Sequence, residues 1–494
     1  MHTSLGIDVG TTAIKMVLVA DDGSLLGSWS MEHSLESPET GFAEERTDIW
    51  KAHLFSLLST VVKETKGIVI ESIGLTGMVP TLVMVDSKGN ALYPSIQQND
   101  IRSGAEIEEL KEKLGEDWFF QRTGAVISQQ SIFPKLLWMK RHHPELFSHV
   151  SQIMGSYDYL SLVLTGVPHV ERNWALESGM YDILKHDWIS EVLQATGIER
   201  SLLPPVFAPA SVVGTTTKEI EETTLLPQGI PVVAGSADHV ASSFCIGVRK
   251  PGDLVFKLGG AADILLATDT LVTDKRLFID YGCSSTVDYL INGCTATSGS
   301  MLKWFAKELS LPDYAEMDKL AASVAPGSEG VVVLPYFLGE KTPIFDIHAK
   351  GVIYGLTLHH TRTHIYRAML EAVAYSFYHH VEVFQSLSLP IKRVFITNGG
   401  SRSTLWRQII ADCTGHDVQY VHNNVGSCLG AALLGGMGTG NFSEATADLF
   451  LSDISVNHHD PALYQVYQQS YRQYRALYAA LRPLFQKTDL ILSC

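Results

Sequence analysis

A chain of 494 residues, 46% of them hydrophobic and spread along its whole length, is too long for one ordinary core and predicts two compact domains. Its formal net charge of −16 is not gathered in a tail, and the short run Lys140-Arg141-His142-His143 is no basic stripe, which argues against nucleic acid as the main partner. The apolar N-terminal segment lacks a basic n-region, no apolar run reaches the ~20 residues of a membrane span, and the six cysteines show neither a CxxC pair nor metal-ligand spacing; together these predict a cytoplasmic protein with reduced, mostly buried thiols and no membrane partner.

In chain order, residues 5–19 read as two strands joined by the tight turn Gly10-Thr11-Thr12, and a third strand is expected from Leu25 to Met31. Trp50 to Lys63 has helical periodicity, Ile68 to Leu75 reads as a buried strand, and strand and helix then alternate to about residue 245, an α/β pattern. The opening hairpin has a counterpart in residues 251–267, where two strands flank Gly259-Gly260. A further strand, Arg393 to Thr397, leads through Asn398 into Gly399-Gly400-Ser401 and a helix from about Leu405 to Thr414. The expected division is therefore a domain of residues 1–247 and a domain of residues 248–494. In the last segment Tyr464, Tyr467, Tyr471, Tyr474, Tyr478, Leu481 and Phe485 share one helix face. That face reads either as the seam of a homodimer or as a terminal helix packed on its own domain; about three heptads favour the second.

A turn rich in Gly and Thr gathers backbone N–H groups and hydroxyls into a small concavity that suits phosphate oxygens. Asp8, just before Gly10, would stand at its mouth, where a carboxylate can hold Mg²⁺ or its water shell against nucleotide phosphates. A tight turn beside an ordinary surface acid would give the same letters. The second hairpin at Gly259-Gly260 and the Gly399-Gly400 turn before a helix shift the balance toward a bound nucleotide. The pairs His142-His143, His359-His360, His379-His380 and His458-His459 are adjacent rather than three or four apart, and read as surface or loop residues, not metal ligands.

Asp8-Val9-Gly10-Thr11-Thr12 resembles the first phosphate motif of the actin, Hsp70 and sugar-kinase fold, and the remaining motifs narrow this to the FGGY carbohydrate kinases. Gly41-Phe42-Ala43-Glu44-Glu45 with Trp50 is similar to an element of xylulokinases, and Lys135-Leu136-Leu137-Trp138-Met139 resembles the first family signature, from which Gln130 and Ile132 depart. Gly339-Glu340-Lys341-Thr342-Pro343, continuing through Gly351 to Glu371, matches the second signature throughout. The resemblance runs in order from residue 5 to about residue 440.

It implies two ribonuclease H-like α/β domains facing across a cleft, the first for sugar and the second for ATP, with Mg²⁺ arriving on the nucleotide. Gly10, Thr11, Thr12, Gly259, Gly260, Gly399, Gly400 and Ser401 are then the nucleotide-binding positions. Asp238, after an apolar strand, matches the catalytic base that accepts the sugar hydroxyl's proton; a helix N-cap is the structural alternative. Asn99-Asp100-Ile101-Arg102 resembles the sugar-pocket segment, with Asp100 as acceptor for sugar hydroxyls and Arg102 either orienting it or forming a surface ion pair. Where typical xylulokinases carry Gln-Met-His after the first Gly, this chain has Met78, Val79 and Pro80; Gln98 replaces their Trp, and His239 replaces the usual Asn after the base and could donate to a sugar oxygen. A pocket so changed presents a different hydrogen-bond pattern. Xylulose is the first expectation, with gluconate, ribulose or glycerol as alternatives. An actin-like ATPase or a non-catalytic sugar sensor are rivals, against which the 339–371 signature and intact Asp8, Thr11, Thr12 and Asp238 argue.

Overall fold

Leu5, Ile7 and Val9 on one strand and Ile14, Met16 and Leu18 on the next are fully buried, so the opening hairpin is covered on both faces and reads as continuous apolar runs. The computed structural model describes residues 1–310, 313–422 and 425–492. In it the strand Thr3–Val9 pairs antiparallel with Ala13–Ala20, from Thr3 opposite Ala20 to Val9 opposite Ile14. Leu25–Glu32 follows antiparallel on the outside, with the alternating exposure of an edge strand. On the other side lie Ser72–Gly77 and Pro231–Val233, both parallel, and then Val212–Thr215, antiparallel. The helix read from Trp50 to Lys63 spans Thr47–Glu64. The strand expected from Ile68 begins only at Ser72, which pairs with Ser4. Between Gly77 and Val212 the chain forms helices and short strands of two or three residues, not the regular alternation expected.

The same plan recurs in the second half. Asp253–Leu258 and Ala262–Thr268 form the hairpin, Tyr289–Thr295 continues it antiparallel, and Arg393–Thr397 and Val418–Val421 follow in parallel, with Ile454–Asn457 antiparallel at the edge. The hairpin charges are reversed between the two copies: Asp8 stands opposite Lys15, and Lys257 opposite Asp263.

The chain divides into two compact units. The first holds Met1–Gly247, Ile279–Asp288 and Asn424–Ser452; the second holds Val248–Phe278, Tyr289–Asn423 and Asp453–Cys494. Segments 279–288 and 424–452, which the sequence division assigns to residues 248–494, thus pack with the first unit. The reason is steric fit. The helix Ser427–Gly438 lies so close to the first sheet that a Cβ on Gly6 would come within 2.0 Å of the Cys428 carbonyl, and one on Gly74 within 1.8 Å of the Ala431 carbonyl. Only glycines on those strands admit the helix.

In the second unit the helix Pro461–Leu492 buries Tyr467, Tyr471 and Tyr474 against the long helix Arg362–Ser386, where Tyr378 meets Tyr471 edge-on at 4.8 Å between ring centroids. Its tyrosine face is therefore occupied by its own chain, as the second sequence reading has it. Two histidines correct the surface assignment: His379 and His380 are buried in the Arg362–Ser386 helix, where His380 Nε2 meets Thr342 Oγ1 at 2.8 Å. Cys245, Cys294, Cys413 and Cys428 are buried free thiols and Cys283 is half-buried, while Cys494 lies outside the described residues.

Candidate active site

In the first unit three chain segments end side by side. Val9 closes the first strand opposite Gly77 in the parallel register, and Ala237 pairs with Gly77 from the other side. Thr76 Oγ1 donates to the Ser236 carbonyl at 2.7 Å and ties the last two ends together. Asp8, Met78 and Asp238 are thereby delivered to one edge of one sheet, the carboxyl edge where α/β proteins bind ligands.

Asp8 is nearly buried, and its Oδ2 accepts a hydrogen bond from Ser427 Oγ at 2.7 Å. The Ser427 contact was invisible in the sequence, because it joins residues 419 positions apart. Past Asp8, Gly10 N–H donates to the Ala13 carbonyl at 3.0 Å, and Thr11 and Thr12 are exposed. The Gly10 carbonyl receives His33 Nε2 at 2.8 Å, and the same nitrogen lies 3.1 Å from Glu45 Oε2. The Gly41–Glu45 element thus reaches the turn through His33. A carboxylate, a serine hydroxyl and two threonine hydroxyls form a hard-oxygen donor set, which fits Mg²⁺ and phosphate.

Asp238 is the first residue of the helix Asp238–Cys245, and its side chain is 41% exposed. The N-cap position belongs to Ala237, so the capping alternative does not hold. The bend that presents it runs through Gly235 at φ +85°, where a Cβ would lie 2.1 Å from the Leu75 carbonyl. A carboxylate in a first helical turn is favoured in its ionised form by the helix dipole. His239, the next residue, is nearly buried; its Nε2 lies 3.0 Å from Asp280 Oδ2 and 3.9 Å from Glu177 Oε1, and its Nδ1 lies 3.5 Å from Asp238 Oδ1. Burial would lower the imidazole's pKa, but Asp280, Asp238 and Glu177 outweigh it and raise the pKa well above the usual value. Burial, then Asp280, pushes the Glu177 carboxyl well above its usual value. Glu177 and Asp280 carried no sequence signal.

Met78 and Val79 are buried beside the strand end, with Met78 N–H on the Val9 carbonyl at 3.3 Å and a cis peptide bond from Val79 to Pro80. Gln98 is half-buried, and its Oε1 accepts from Gln130 Nε2 at 3.5 Å, so two departures from the family pattern meet in space. Asp100 corrects its expectation. It is fully buried, and its oxygens accept from Ala43 N at 2.6 Å, Arg102 N at 3.1 Å, Arg102 Nε at 2.8 Å and Arg102 Nη2 at 2.7 Å. Four donors fill the lone pairs of a carboxylate, so a sugar hydroxyl would have to displace one of them. Arg102 is no surface ion pair: its side chain is fully buried, it also donates to Glu44 Oε1 at 2.6 Å, and its guanidinium lies 3.8 Å from the Phe42 ring centroid. Lys135 of the first signature is buried too, with Nζ 2.7 Å from the Gln97 carbonyl; burial draws its pKa down to about 7 against the pull of Asp100.

In the second unit the turn Gly259-Gly260 presents its carbonyls to the start of the helix Gly299–Glu308: Gly299 N–H donates to Gly259 at 2.9 Å and Ser298 N–H to Gly260 at 2.8 Å. Gly399 and Gly400 open a 3₁₀ turn after the strand Arg393–Thr397. Nothing lies within 4 Å of a Cβ placed on Gly399, whereas one on Gly400 would meet Trp406 at 2.7 Å and Leu258 at 2.9 Å. Ser401 is buried, its hydroxyl on the Asn398 carbonyl at 2.5 Å. Glu371, at the end of the second signature, is a scaffold residue: it is buried and accepts from Gly327 N, Ser328 Oγ and Arg367 Nε.

Two units built on one strand plan, each with a glycine-bearing hairpin turn beside paired charges, define the ribonuclease H-like fold of actin, Hsp70 and sugar kinases. Residues 3–245 match the N-terminal domain, and residues 271–439 the C-terminal domain, of the FGGY family of carbohydrate kinases. The chain belongs to that family and is a phosphotransferase with an alcohol group as acceptor. It is 38% identical to a crystal structure of xylulose kinase from Rhodospirillum rubrum, covering 98% of this chain and 100% of that one at a TM-score of 0.92. It is 28% identical over 499 residues to a xylulose kinase of Lactococcus lactis, with 99% and 97% of the two chains covered. A gluconokinase of Bacillus subtilis is 27% identical over 490 residues, with 96% and 93% covered. No helix among the described residues is long and apolar enough to cross a membrane.

Proposed function

We propose that this kinase transfers the γ-phosphoryl group of ATP to a hydroxyl of a small ketose, with xylulose the first candidate and Asp238 the base. The observation that carries the reading is Asp238 itself: a part-exposed carboxylate at a helix start, on the same sheet edge as Asp8 and the Gly10-Thr11-Thr12 turn. A sugar hydroxyl presented to Asp238 loses its proton to the carboxylate as its oxygen bonds to the γ-phosphorus and the bond from that phosphorus to the β,γ-bridging oxygen breaks, with ADP as the leaving group. Mg²⁺, held by Asp8 directly or through water, would neutralise phosphate charge. Gly10, Thr11 and Thr12 would grip phosphate, and Gly259, Gly260, Gly399, Gly400 and Ser401 the rest of the nucleotide. Similarity to xylulose kinases over nearly the whole chain supports the sugar class.

Met78, Val79, Pro80 and Gln98 are the proposed sugar-reading positions, and Asp100 shapes that pocket by locking Ala43 and Arg102 rather than by free lone pairs. The Gln98–Gln130 pair places an amide where xylulokinases carry an indole, which favours a substrate with an additional hydrogen-bonding group there. An ADP-release screen across pentuloses, polyols and sugar acids tests the reading. Xylulose or a close ketose should give the highest kcat/KM; a sugar acid preferred by tenfold or more would overturn the ketose assignment while leaving the kinase intact.

A further inference from the structure

His239 has three acidic neighbours, each on a different segment of the first unit. Asp238 is adjacent on the same helix, Glu177 ends the helix Arg172–Glu177, and Asp280 belongs to the segment Ile279–Asp288. Arg172, a nearby cation, turns elsewhere: it donates to the Gly282 carbonyl and lies over the Tyr281 ring at 4.9 Å. The imidazole faces Asp238, Asp280 and Glu177 together. Its side chain is 11% exposed and that of Asp280 only 2%, against 41% for Asp238. The cluster is thus dry at its inner end and open at the end that carries the base.

An ordinary buried histidine needs one partner for its proton-bearing nitrogen. Here Nε2 is committed to Asp280 at 3.0 Å and Nδ1 faces Asp238 at 3.5 Å, so neither nitrogen is left to donate to a sugar oxygen. Without the imidazole's charge, Asp238 would lose the cation that faces its Oδ1, and its protonated form would be favoured relative to wild type. A base that already holds a proton cannot take one from the sugar.

We propose that His239, anchored by Asp280 and Glu177, is a positioning residue for Asp238: as an imidazolium it faces one oxygen of the base and favours the ionised form of that carboxylate. This rests on the reading of Asp238 as the base. The hydroxyl proton goes to Asp238 and stops there, because the imidazolium already carries protons on both nitrogens.

The test is kcat/KM against pH, from 5.5 to 9, for the full-length protein and its His239→Asn and His239→Gln variants. Loss of the positive charge should move the acid limb upward by about one pH unit or more. The variants would then lose roughly tenfold relative to wild type at the acid end, a deficit that narrows steadily as pH rises. A histidine that merely braces the helix would lower activity by one factor at every pH, and that result would overturn the proposal. Asp238→Asn separates the two readings. If it keeps near wild-type turnover, Asp238 is not the base; if it is inactive while both His239 variants keep the wild-type limb, only the role of His239 fails. Should the His239 variants not fold, ¹⁵N-histidine spectra of wild type decide. One imidazole, identified by its change in Asp238→Asn, should retain imidazolium shifts above pH 7.5, and its deprotonation near pH 6.5 would refute the charge.

Discussion

Replacing Arg102 by Met isolates what the buried pair beneath the proposed sugar segment contributes. The guanidinium gives Asp100 two side-chain hydrogen bonds, at 2.8 and 2.7 Å, gives Glu44 one at 2.6 Å, and reaches Tyr93 Oη at 3.3 Å. Met fills much of the space against Phe42 and Trp138 but leaves the fully buried Asp100 with Ala43 and backbone Arg102 donors only. Charge-assisted hydrogen bonds are worth about 1.5–3 kcal/mol each, yet pairing also removes two ions from water. The net cost of removing one partner is therefore about 3–5 kcal/mol. For a unit of this size that lowers the unfolding midpoint by roughly 6–20 °C, at about 2–4 °C per kcal/mol. Asp100→Asn with Arg102→Met removes the unpaired charge at position 100, leaving only that of Glu44, and should recover at least ~1.5 kcal/mol of the loss, a coupling that a double-mutant cycle reads directly. Arg102→Lys should not rescue, since one ammonium cannot span both carboxylates. Differential scanning fluorimetry of wild type, Asp100→Asn, Arg102→Met, their double variant and Arg102→Lys suffices. A single-variant drop below about 2 °C, or strict additivity in the cycle, would refute the assignment of this pair as a buried anchor.

Three further outcomes follow from the same geometry. Asp8→Ala should lower turnover and raise the Mg²⁺ concentration needed for half-maximal rate together; full activity in excess chelator contradicts the role given to Asp8. Gly399→Ala meets open space and should fold like wild type with a raised KM for ATP, whereas Gly400→Ala strikes Trp406 and Leu258 and should lower the unfolding midpoint; equal stability of the two would refute the contrast. Lys135 titrates near 7 when folded against 10.5 when unfolded, so the folded protein binds fewer protons between those values and gains stability as pH rises through them. Compared with Lys135→Met, wild type should therefore gain in midpoint from pH 7 to pH 9.5; a constant difference across that range would show that the lysine is not held in its neutral form.

Much of this molecule was legible in the order of its residues. The two hairpins, the glycine turns and the helices at Thr47–Glu64 and Thr404–Thr414 are local features, set by periodicity and by residues that tolerate tight turns, and a linear string carries them. Asp8, Asp238 and the family motifs were legible for the same reason. Three-dimensional closeness was not. That Ser427–Gly438 packs on the first sheet depends on Gly6 and Gly74 lacking a Cβ, a steric match between distant segments. That Asp100 is saturated, Arg102 buried and His380 interior depends on what surrounds them, and no residue letter records its neighbours. The cluster of Glu177, His239 and Asp280 is the clearest case. Each is an unremarked letter in its own segment, and only the fold, by bringing three segments of the first unit to within hydrogen-bonding and ion-pair range, turns them into one electrostatic unit behind the base.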